Sequence, residues 1–240
     1  GSNILVADAG VRGLVIDTTA LGGATHDGTR LVAGAGMAVS DASAYAADHD
    51  LAGLDFIFAM PGSVGGAVWM NARCYDGEIF DVLASVELVE PDGRIGTYEP
   101  RPEDFGYKRS PFMSRAAIMT SVTFTLRAGE RETLWRKMRE HEADRTAKGH
   151  FAAPCAGSVF KNNRDFGRPS GAIIDSIGMR GYRIGGAKVS DLHANIVINT
   201  GTATAADIRA VIEYVQREVE RRLGHRLERE VLYVGDWGQP

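Results

Sequence analysis

A serine set among small residues is the first side chain in this sequence that could take part in a reaction. Ser158 lies in the segment CAGSVFKNN, residues 155–163, with a lysine and two asparagines close behind it. Such a hydroxyl can donate a proton to a reacting carbon if a partner stabilises the oxygen left behind. A turn or capping serine is the commoner role in such a setting. Because no Gly-x-Ser-x-Gly pattern surrounds Ser158, the sequence gives no support for hydrolase chemistry.

Charged side chains occur in two further segments that could do chemistry. In YKRSPF, residues 107–112, Lys108 and Arg109 precede a serine and can bind a carboxylate or a phosphate. In EREV, Glu230 stands directly before a valine, where a strand end would partly bury its carboxylate. Both patterns also fit exposed segments with solvated charges. His193 is isolated in DLHAN, where a structural histidine is more common than a metal ligand.

The segment FAMPGSVGGAVWMNA, residues 58–72, is rich in glycine and contains no charged residue. Surface loops are normally polar, so this one indicates main chain brought close to something buried. Amides without side chains, together with the hydroxyl of Ser63, can surround an anion such as a phosphate. The pattern lacks the acid of the dinucleotide fingerprint and the lysine of the P-loop. A phosphate site and a tightly packed buried turn therefore explain it equally well.

The composition favours a globular protein that acts on small molecules. The chain has 240 residues, of which 44% are hydrophobic and 24% charged, and its net charge is −4. No segment has the roughly 18 consecutive apolar residues of a membrane span, and the first residues show no signal-peptide pattern. The negative charge and the lack of a basic stripe argue against nucleic-acid binding. We expect a soluble cytoplasmic protein without a metal site, whose Cys74 and Cys155 are reduced.

The elements that must position these residues begin with a strand-rich segment. NILVADAG and GLVID, within residues 3–17, predict two strands, and RLVAGAGMAVS predicts a third that leads into a helix around residues 41–48. SVELVEPDGRIGTYEP predicts a hairpin, and residues 117–126 carry the strongest strand pattern of the chain. A charged, helix-forming stretch over residues 129–148 ends at FAAPCAG. We place a domain boundary near residue 130.

The second part of the chain contains the clearest helix pattern. Thr204 and Asp207 form an acidic variant of the capping box, apolar residues follow at helical spacing, and Gly224 ends the pattern. RLEREVLYVG predicts a strand directly afterwards. Strands and helices alternate without the strict rhythm of a doubly wound sheet. The predicted fold class is therefore α+β, in two domains that cover residues 1–129 and 130–240.

The order of these segments is more specific than any one of them. GSN, PGSVGGAVWMNA, FGYKRS, AGSVFKN, GGAKVSDLHANIVIN and LEREV follow one another along the chain. In this order and at these separations they resemble the UDP-N-acetylenolpyruvoylglucosamine reductase (MurB) family of peptidoglycan synthesis, over essentially the whole chain. Because no long tyrosine-bearing insertion separates Tyr107 from Ser158, the chain is similar to the shorter, second type of this enzyme. The family normally has several dozen residues before GSN, so the resemblance implies that the usual N-terminal segment is missing.

The resemblance implies an FAD-binding domain of the vanillyl-alcohol oxidase (PCMH) type, followed by a smaller α+β substrate-binding domain. In the family the glycine loop approaches the flavin and its pyrophosphate, where a larger side chain would collide. NADPH is the implied hydride donor. The residues that the resemblance implies for FAD binding are Gly1, Ser2, Asn3, Pro61, Gly62, Ser63, Gly65, Gly66, Ala67 and Asn71.

The family reaction passes a hydride from NADPH to FAD, and from the flavin to C3 of an enolpyruvyl ether on UDP-N-acetylglucosamine. Negative charge then develops on the neighbouring carboxylate, and C2 must be protonated. By resemblance, Ser158 is the proton donor and Glu230 is the catalytic glutamate. Where the family has an arginine after its tyrosine, this chain has Lys108 and then Arg109. We favour Lys108 as the cation, because neighbouring side chains on an extended segment point to opposite faces.

Three further positions match polar residues that lie near the substrate in the family. They are Lys148, Asn162 and Lys188. Lys148 departs from the family pattern in its neighbours, since Gly149 and His150 follow it, and glutamine is frequent at the position of Lys188. The resemblance therefore implies a substrate site built mainly from the second domain.

The predicted function is reduction of UDP-N-acetylglucosamine enolpyruvate to UDP-N-acetylmuramate by a monomeric, NADPH-dependent flavoenzyme. Two alternatives stay open at this point. One is a truncated relative that binds a UDP-sugar without redox turnover, and the other is a flavin oxidase of the same fold with a different small substrate. The serine and glutamate motifs favour the reductase.

Overall fold

The structure is a computed structural model that describes residues 1–238. Its helices are α1 (Val39–Asp48), α2 (Val64–Trp69), α3 (Arg131–Ala147), α4 (Ser170–Ser176) and α5 (Ala205–Leu223). Its strands are β1 (Ile4–Val6), β2 (Ala24–Asp27), β3 (Arg30–Gly34), β4 (Leu51–Ala52), β5 (Arg73–Cys74), β6 (Gly77–Glu78), β7 (Leu83–Val89), β8 (Ile95–Tyr98), β9 (Ile118–Thr125), β10 (Arg127–Ala128), β11 (Cys155–Ser158), β12 (Arg183–Ile184), β13 (Ala187–Val189), β14 (Ile196–Asn199) and β15 (Leu232–Val234).

The first of two compact units comprises Gly1 and residues 16–143. Its main sheet is antiparallel and has the strand order β2-β3-β9-β7-β8. The central strand, β9, pairs with β3 so that Phe124 lies opposite Leu31, and both side chains are buried. Because side chains alternate along a strand, the same register turns every second residue of β9 away from this core.

Two helices complete the core of the first unit. α1 contributes small side chains, and α2 contributes a short apolar face. Small residues let a helix approach its neighbours closely, so that the main chain of α2 comes near the segment after β3. The buried residues of the two helices are Val39, Ala42, Ser43, Ala46, Ala47, Val64, Gly65, Ala67 and Val68.

The second unit comprises residues 2–15 and the chain from residue 144 onward. Its sheet is antiparallel, in the order β11-β14-β13-β12, and α5 packs against β12, β13 and β14. Thr204 caps α5, because its hydroxyl accepts the amide of Asp207, whose carboxylate in turn accepts the amide of Thr204. Gly224 ends the helix in the left-handed conformation, with φ of 69°. The capping box and the helix end predicted for this segment are both confirmed.

The first residues of the chain are bound within this second unit. β1 pairs with β15 in a parallel sheet, with Ile4 opposite Leu232. The carboxylate of Asp8 accepts the amides of Ala205 at 2.8 Å and Ala206 at 2.9 Å. A carboxylate at this end of a helix satisfies free amides and complements the helix dipole.

The compact units therefore divide the chain differently from the predicted boundary near residue 130. Most of α3 belongs to the first unit, because Leu134 and Met138 pack against Ala47 and Ala52. Residues 2–15 belong to the second unit because their strand pairs with β15. Both differences come from contacts between residues that are distant in sequence.

Two predicted strands need correction. GLVID is not a strand: residues 13–17 are irregular and leave Leu14 and Val15 exposed, since no strand of the described chain pairs with them. The strand predicted in RLEREVLYVG is limited to β15. Across residues 1–238, no helix combines the length and the apolar composition that a membrane span needs.

Candidate active site

A polar cavity of about 310 Å³ lies within the second unit. Its size is at the lower end of the roughly 300–1,000 Å³ typical of small-molecule sites. Ser158 and Asn162, both predicted site residues, contribute to its wall. The other residues of the wall are Pro169, Gly171, Ala172, Asp175, Arg180, Leu192, His193, Ala194 and Asn195.

Ser158 is held at the end of an irregular strand. β11 pairs with β14 so that Ser158 lies opposite Ile196, and its register shifts after Cys155. Gly157 supplies the φ of 74° that this irregularity requires. This irregularity lies directly before Ser158, which is one of the residues that line the cavity.

Asn195 fixes the residues that follow Ser158. Its side chain accepts the amide of Phe160 at 2.9 Å and donates to the carbonyl of Phe160 at 2.8 Å, while its own carbonyl accepts the amide of Val159 at 2.8 Å. Asn195 is 4% exposed, so these hydrogen bonds are not exchanged with water. The sequence analysis missed Asn195, and only its place directly before an apolar strand pattern hinted at a buried amide.

Glu230 lies on the segment next to Ser158. Its amide donates to the carbonyl of Val159 at 2.7 Å, and the amide of Lys161 donates to the carbonyl of Glu228 at 2.9 Å. These bonds join the chain before β15 to the chain after β11. The structure therefore brings the two predicted catalytic residues, Ser158 and Glu230, onto adjoining segments.

Arg180 shapes another side of the cavity. Its guanidinium makes two parallel bonds to Asp175, of 2.6 Å and 2.8 Å, and donates to the carbonyls of Asp191 at 3.0 Å and Leu192 at 3.3 Å. A planar guanidinium can serve all four acceptors in a fixed geometry. Arg180 therefore holds the turn that presents His193. No pattern in the sequence marks Arg180, because it stands alone between Met179 and Gly181.

Two half-buried histidines beside the cavity are kept neutral. Burial lowers the pKa of His193, and the nearby charges of Lys148 and Arg180 lower it further. Its Nδ1 accepts the amide of Asn195 at 3.2 Å, which places the ring proton on Nε2. The ring of His150 lies 5.7 Å from that of His193, and burial lowers the pKa of His150 to about 4, with Arg145, His193 and Lys148 adding to the effect. At neutral pH both rings donate or accept hydrogen bonds without carrying charge.

The two lysines predicted to bind substrate are not part of the cavity wall. Lys148 pairs with Asp144 at 2.6 Å, and Lys188, on β13, pairs with Asp191 at 2.5 Å. Lys148 is nevertheless close enough to depress the pKa of both histidines. Of the three predicted substrate residues, only Asn162 borders the cavity.

The glycine loop lies in the first unit, between the segment after β3 and the start of α2. The amide of Val39 donates to the carbonyl of Gly62 at 3.0 Å, and the amide of Val64 donates to Met37 at 2.8 Å. Ser63 is the N-cap of α2, because its hydroxyl accepts the amide of Gly66 at 3.2 Å. The loop is therefore a tightly bonded turn.

Each position of this loop has its own physical reason for carrying a small residue. A Cβ on Gly65 would lie 3.1 Å from the carbonyl oxygen of Ala35, so the protein's own main chain excludes a side chain there. Gly62 has φ of 115°, which favours glycine. Ala67 is buried in the core. A Cβ on Gly66 would meet only the hydroxyl of Ser63, at 3.3 Å, and Gly66 is exposed.

Asn71, predicted to shape the cofactor wall, lies in the interior of the first unit. It is fully buried, its side chain donates to the carbonyl of Gly106 at 3.0 Å, and it accepts the amide of Phe80 at 3.0 Å. The side chain therefore supports the turn that carries Lys108 and offers no surface to a ligand. Burial of an amide with two main-chain partners is a structural role.

Lys108 and Arg109 have distinct surroundings in that turn. The amides and carbonyls of Gly106 and Arg109 bond to each other, and Lys108 adopts φ of 53° at the tip. The guanidinium of Arg109 folds back over Gly106 and donates to the carbonyls of Glu103 at 3.4 Å and Phe105 at 3.2 Å. Arg109 is thus occupied with the main chain of its own loop.

The GSN segment begins the chain. Gly1 is exposed and Ser2 is half-buried. Asn3 makes a specific contact, because its side-chain amide donates to the carbonyl of Glu230 at 3.1 Å. Pro61, the remaining predicted position of the cofactor group, is exposed at the start of the glycine loop.

Comparison with known proteins assigns the family. The C-terminal domain of UDP-N-acetylenolpyruvoylglucosamine reductase matches residues 149–234, and an FAD binding domain matches residues 1–98. The reductase of Treponema denticola is 42% identical, over 99% of this chain and 79% of its own length. This chain belongs to the UDP-N-acetylenolpyruvoylglucosamine reductase family. The resemblance noted in the sequence is confirmed.

Other members of the reductase family agree in fold and extent. The reductase of Borrelia garinii is 39% identical, over 98% of this chain and 77% of its own length. The crystal structure of the Thermus caldophilus reductase matches with a TM-score of 0.79 and 33% identity, and covers 98% of this chain and 83% of that one. The predicted fold class, an FAD-binding domain followed by a smaller α+β domain, is confirmed.

The glycine loop fits the cofactor that an FAD-binding domain of this family holds. Ser63 lies opposite Ala38, and the bonds from Val39 to Gly62 and from Val64 to Met37 lie on either side of this pair. Ser63 and Ala38 therefore make no hydrogen bond to each other, and the amide of Ser63 points away from the segment that contains Ala38. Beside it lies the exposed, side-chain-free main chain of Gly66. A flat or anionic group can therefore approach this part of the loop, whereas the packing of Gly65 and Ala67 leaves no such access.

Replacing His150 by glutamine should remove part of the acid sensitivity of the fold. The pKa of His150 is about 4 in the folded protein and near 6.5 when unfolded, so the unfolded state binds more protons between these values. Stability should fall as pH drops from 6.5 towards 4, and His150→Gln should reduce this loss by about 1 kcal/mol, allowing for the partial exposure of the ring. Urea unfolding at neutral and mildly acidic pH measures the difference. Equal pH dependence of the two proteins would contradict the assignment.

Proposed function

We propose that this chain catalyses the NADPH-dependent reduction of UDP-N-acetylglucosamine enolpyruvate to UDP-N-acetylmuramate, with FAD as its cofactor. The observation that carries the proposal is the placement of Ser158 on a polar cavity, with Glu230 on the adjoining segment. The curated relatives, named as reductases of this substrate, support it. The cytoplasmic location and the monomeric state stay predictions from the sequence.

The reaction needs a proton donor beside an unsaturated carbon. FAD held at Ser63 and Gly66 of the glycine loop would supply hydride-transfer chemistry at C3 of the enolpyruvyl group, with NADPH as the hydride source. Ser158 then supplies the proton to C2, because this serine lies on the cavity wall at the end of the irregular strand β11. Glu230 lies on the adjoining segment and assists at the carboxylate on which negative charge develops.

The cavity offers the substrate hydrogen-bond donors with little net charge. His193 presents its Nε2 proton, since its Nδ1 is already bonded to the amide of Asn195. The side-chain oxygen of Asn162 accepts the amide of Ser170 at 2.9 Å, which fixes the orientation of this side-chain amide on the cavity wall. We propose that these donors orient polar groups of the nucleotide sugar, and that Lys148 and Lys188 act from outside the cavity wall through their charge.

Lys108 is the better candidate for the cation that the reaction needs. The left-handed backbone at the tip of the turn, φ of 53°, is strained for a residue with a side chain and is often retained for function. Arg109 already bonds two carbonyls of its own loop. Lysine supplies a compact charge that can stabilise a developing carboxylate dianion.

Ser158→Ala should separate the two halves of the reaction. Reduction of the bound flavin by NADPH should proceed at the wild-type rate, because it needs no proton donor at C2. Reoxidation by the enolpyruvyl nucleotide sugar should slow by about 10²–10⁴-fold, the usual contribution of a general acid. Anaerobic stopped-flow absorption of the flavin measures both rates.

Ser176→Ala is the matched control, because the Ser176 hydroxyl only donates to the carbonyl of Ile173 within α4. Unchanged reoxidation in Ser158→Ala would refute the acid role of this serine. If the wild-type protein binds the nucleotide sugar but never reoxidises its flavin, the reductase function fails and the non-redox alternative is selected.

Gly66→Ala and Gly65→Ala should differ in what they damage. Gly66 is an exposed residue of α2 where an added Cβ would lie 3.3 Å from the Ser63 hydroxyl, a side chain that can shift, so alanine should change the stability of the cofactor-free protein by less than about 1 kcal/mol. The affinity for FAD, measured by flavin fluorescence, should fall at least tenfold. Gly65→Ala should instead destabilise the cofactor-free protein by about 1–3 kcal/mol, because its Cβ meets Ala35. Undiminished FAD affinity in Gly66→Ala would place the cofactor elsewhere.

Lys108→Met and Arg109→Met test the choice of cation. Lys108→Met should slow substrate-dependent reoxidation at least tenfold with little change in Tm, since methionine keeps the length and the backbone strain of lysine. Arg109→Met should lower the stability by about 1 kcal/mol through its lost hydrogen bonds and leave the reoxidation rate within a few-fold. Thermal unfolding and stopped-flow rates provide the two readouts, and a reversed pattern would make Arg109 the cation.

A further inference from the structure

The contact between Asn3 and Glu230 links two motifs that are far apart in sequence. The side-chain amide of Asn3 donates to the carbonyl of Glu230 at 3.1 Å, and the carbonyl of Asn3 accepts the amide of Leu232 at 3.0 Å. Both bonds lie within the second unit, where β1 pairs with β15. Asn3 therefore forms hydrogen bonds to the main chain on both sides of Val231.

Glu230 is consequently held from two directions. Its amide donates to the carbonyl of Val159, directly after Ser158, and its carbonyl accepts the side chain of Asn3. Val231 is 1% exposed and packs in the core of the second unit. With both peptide groups of Glu230 bonded and the next side chain anchored, the direction of its Cα–Cβ bond is fixed.

Of the two bonds that Asn3 makes, only the one from its side chain depends on which residue occupies position 3. The bond between Leu232 and the Asn3 carbonyl belongs to the main chain and is available to any residue at position 3. The bond to the Glu230 carbonyl needs a short side chain that ends in a donor, which asparagine has and aspartate lacks. The identity of residue 3 therefore matters for the segment that carries the glutamate.

We propose that Asn3 is a positioning residue for Glu230, so that the GSN segment orients the glutamate used in the substrate half of the reaction. The inference rests on the proposed function of Glu230. It goes beyond the role in FAD binding implied for this segment, because the partner of Asn3 is a main-chain group of the protein. A pure cofactor ligand would leave Glu230 unaffected.

Asn3→Asp tests the proposal, because it keeps the shape of the side chain and replaces the donor by an oxygen. At saturating FAD, reduction of the flavin by NADPH should stay within about twofold of wild type, while reoxidation by the enolpyruvyl nucleotide sugar should slow at least tenfold. In the cofactor-free protein, hydrogen exchange of the Glu230 amide should accelerate by roughly fivefold, the effect of losing one hydrogen bond. FAD affinity is measured separately by fluorescence titration.

Asp8→Asn is the matched control, since it makes the reverse exchange on the same segment. Asp8 caps α5 and does not contact Glu230. It should lower the Tm while leaving the ratio of the two half-reaction rates and the exchange of the Glu230 amide unchanged.

Three results would overturn the positioning role of Asn3. They are equal slowing of both half-reactions in Asn3→Asp, weaker FAD binding with a normal reoxidation rate, and unchanged exchange of the Glu230 amide. Failure of the wild-type protein to reoxidise its flavin with the nucleotide sugar would instead refute the proposed function, so the two failures are distinguishable.

Discussion

One main-chain hydrogen bond, from the amide of Glu230 to the carbonyl of Val159, determines the arrangement of the second unit around its cavity. It attaches the chain before the last strand to the strand that carries Ser158. Ser158 ends the edge strand β11 and Glu230 follows the long helix α5, so this bond brings together segments that are distant in sequence. The bond between Lys161 and Glu228 continues the attachment, and Asn195 holds the same strand from its other side. The candidate chemistry therefore depends on main-chain pairing more than on side-chain contacts.

Cations in and near the cavity are paired with carboxylates. Arg180 is matched by Asp175, and Lys148 and Lys188 are matched by Asp144 and Asp191. Burial lowers the pKa of both half-buried histidines, and the nearby charge of Lys148 lowers it further. A neutral imidazole can donate a hydrogen bond without adding a charge that burial would penalise. The cavity thus presents donors to a polar ligand while its charges remain at the margin.

The glycine loop shows that one motif can satisfy two requirements. Gly65 is small because the main chain of Ala35 lies against it, and Gly62 is glycine because of its backbone conformation. Gly66 is exposed, and an added Cβ there would meet a side chain, the hydroxyl of Ser63, and no main-chain atom. The packed turn therefore explains Gly62 and Gly65, whereas cofactor binding stays the proposal for the exposed part of the loop at Gly66.

The sequence by itself determined the family, the fold class, the principal helices and the identity of Ser158 and Glu230 as candidates. Those inferences rest on local periodicity, on capping patterns such as that of Thr204 and Asp207, and on the order of short motifs, all of which are readable along the chain. The tertiary structure decided which candidates meet. It placed Asn162 on the cavity wall, gave Lys148 and Lys188 carboxylate partners outside that wall, buried Asn71, and added Arg180 and Asn195 to the wall. It also joined Asn3 to Glu230 and left the apolar residues 13–17 without a strand partner. The reason is that strand pairing and burial bring together residues from opposite ends of the chain, and no local pattern encodes such a partner.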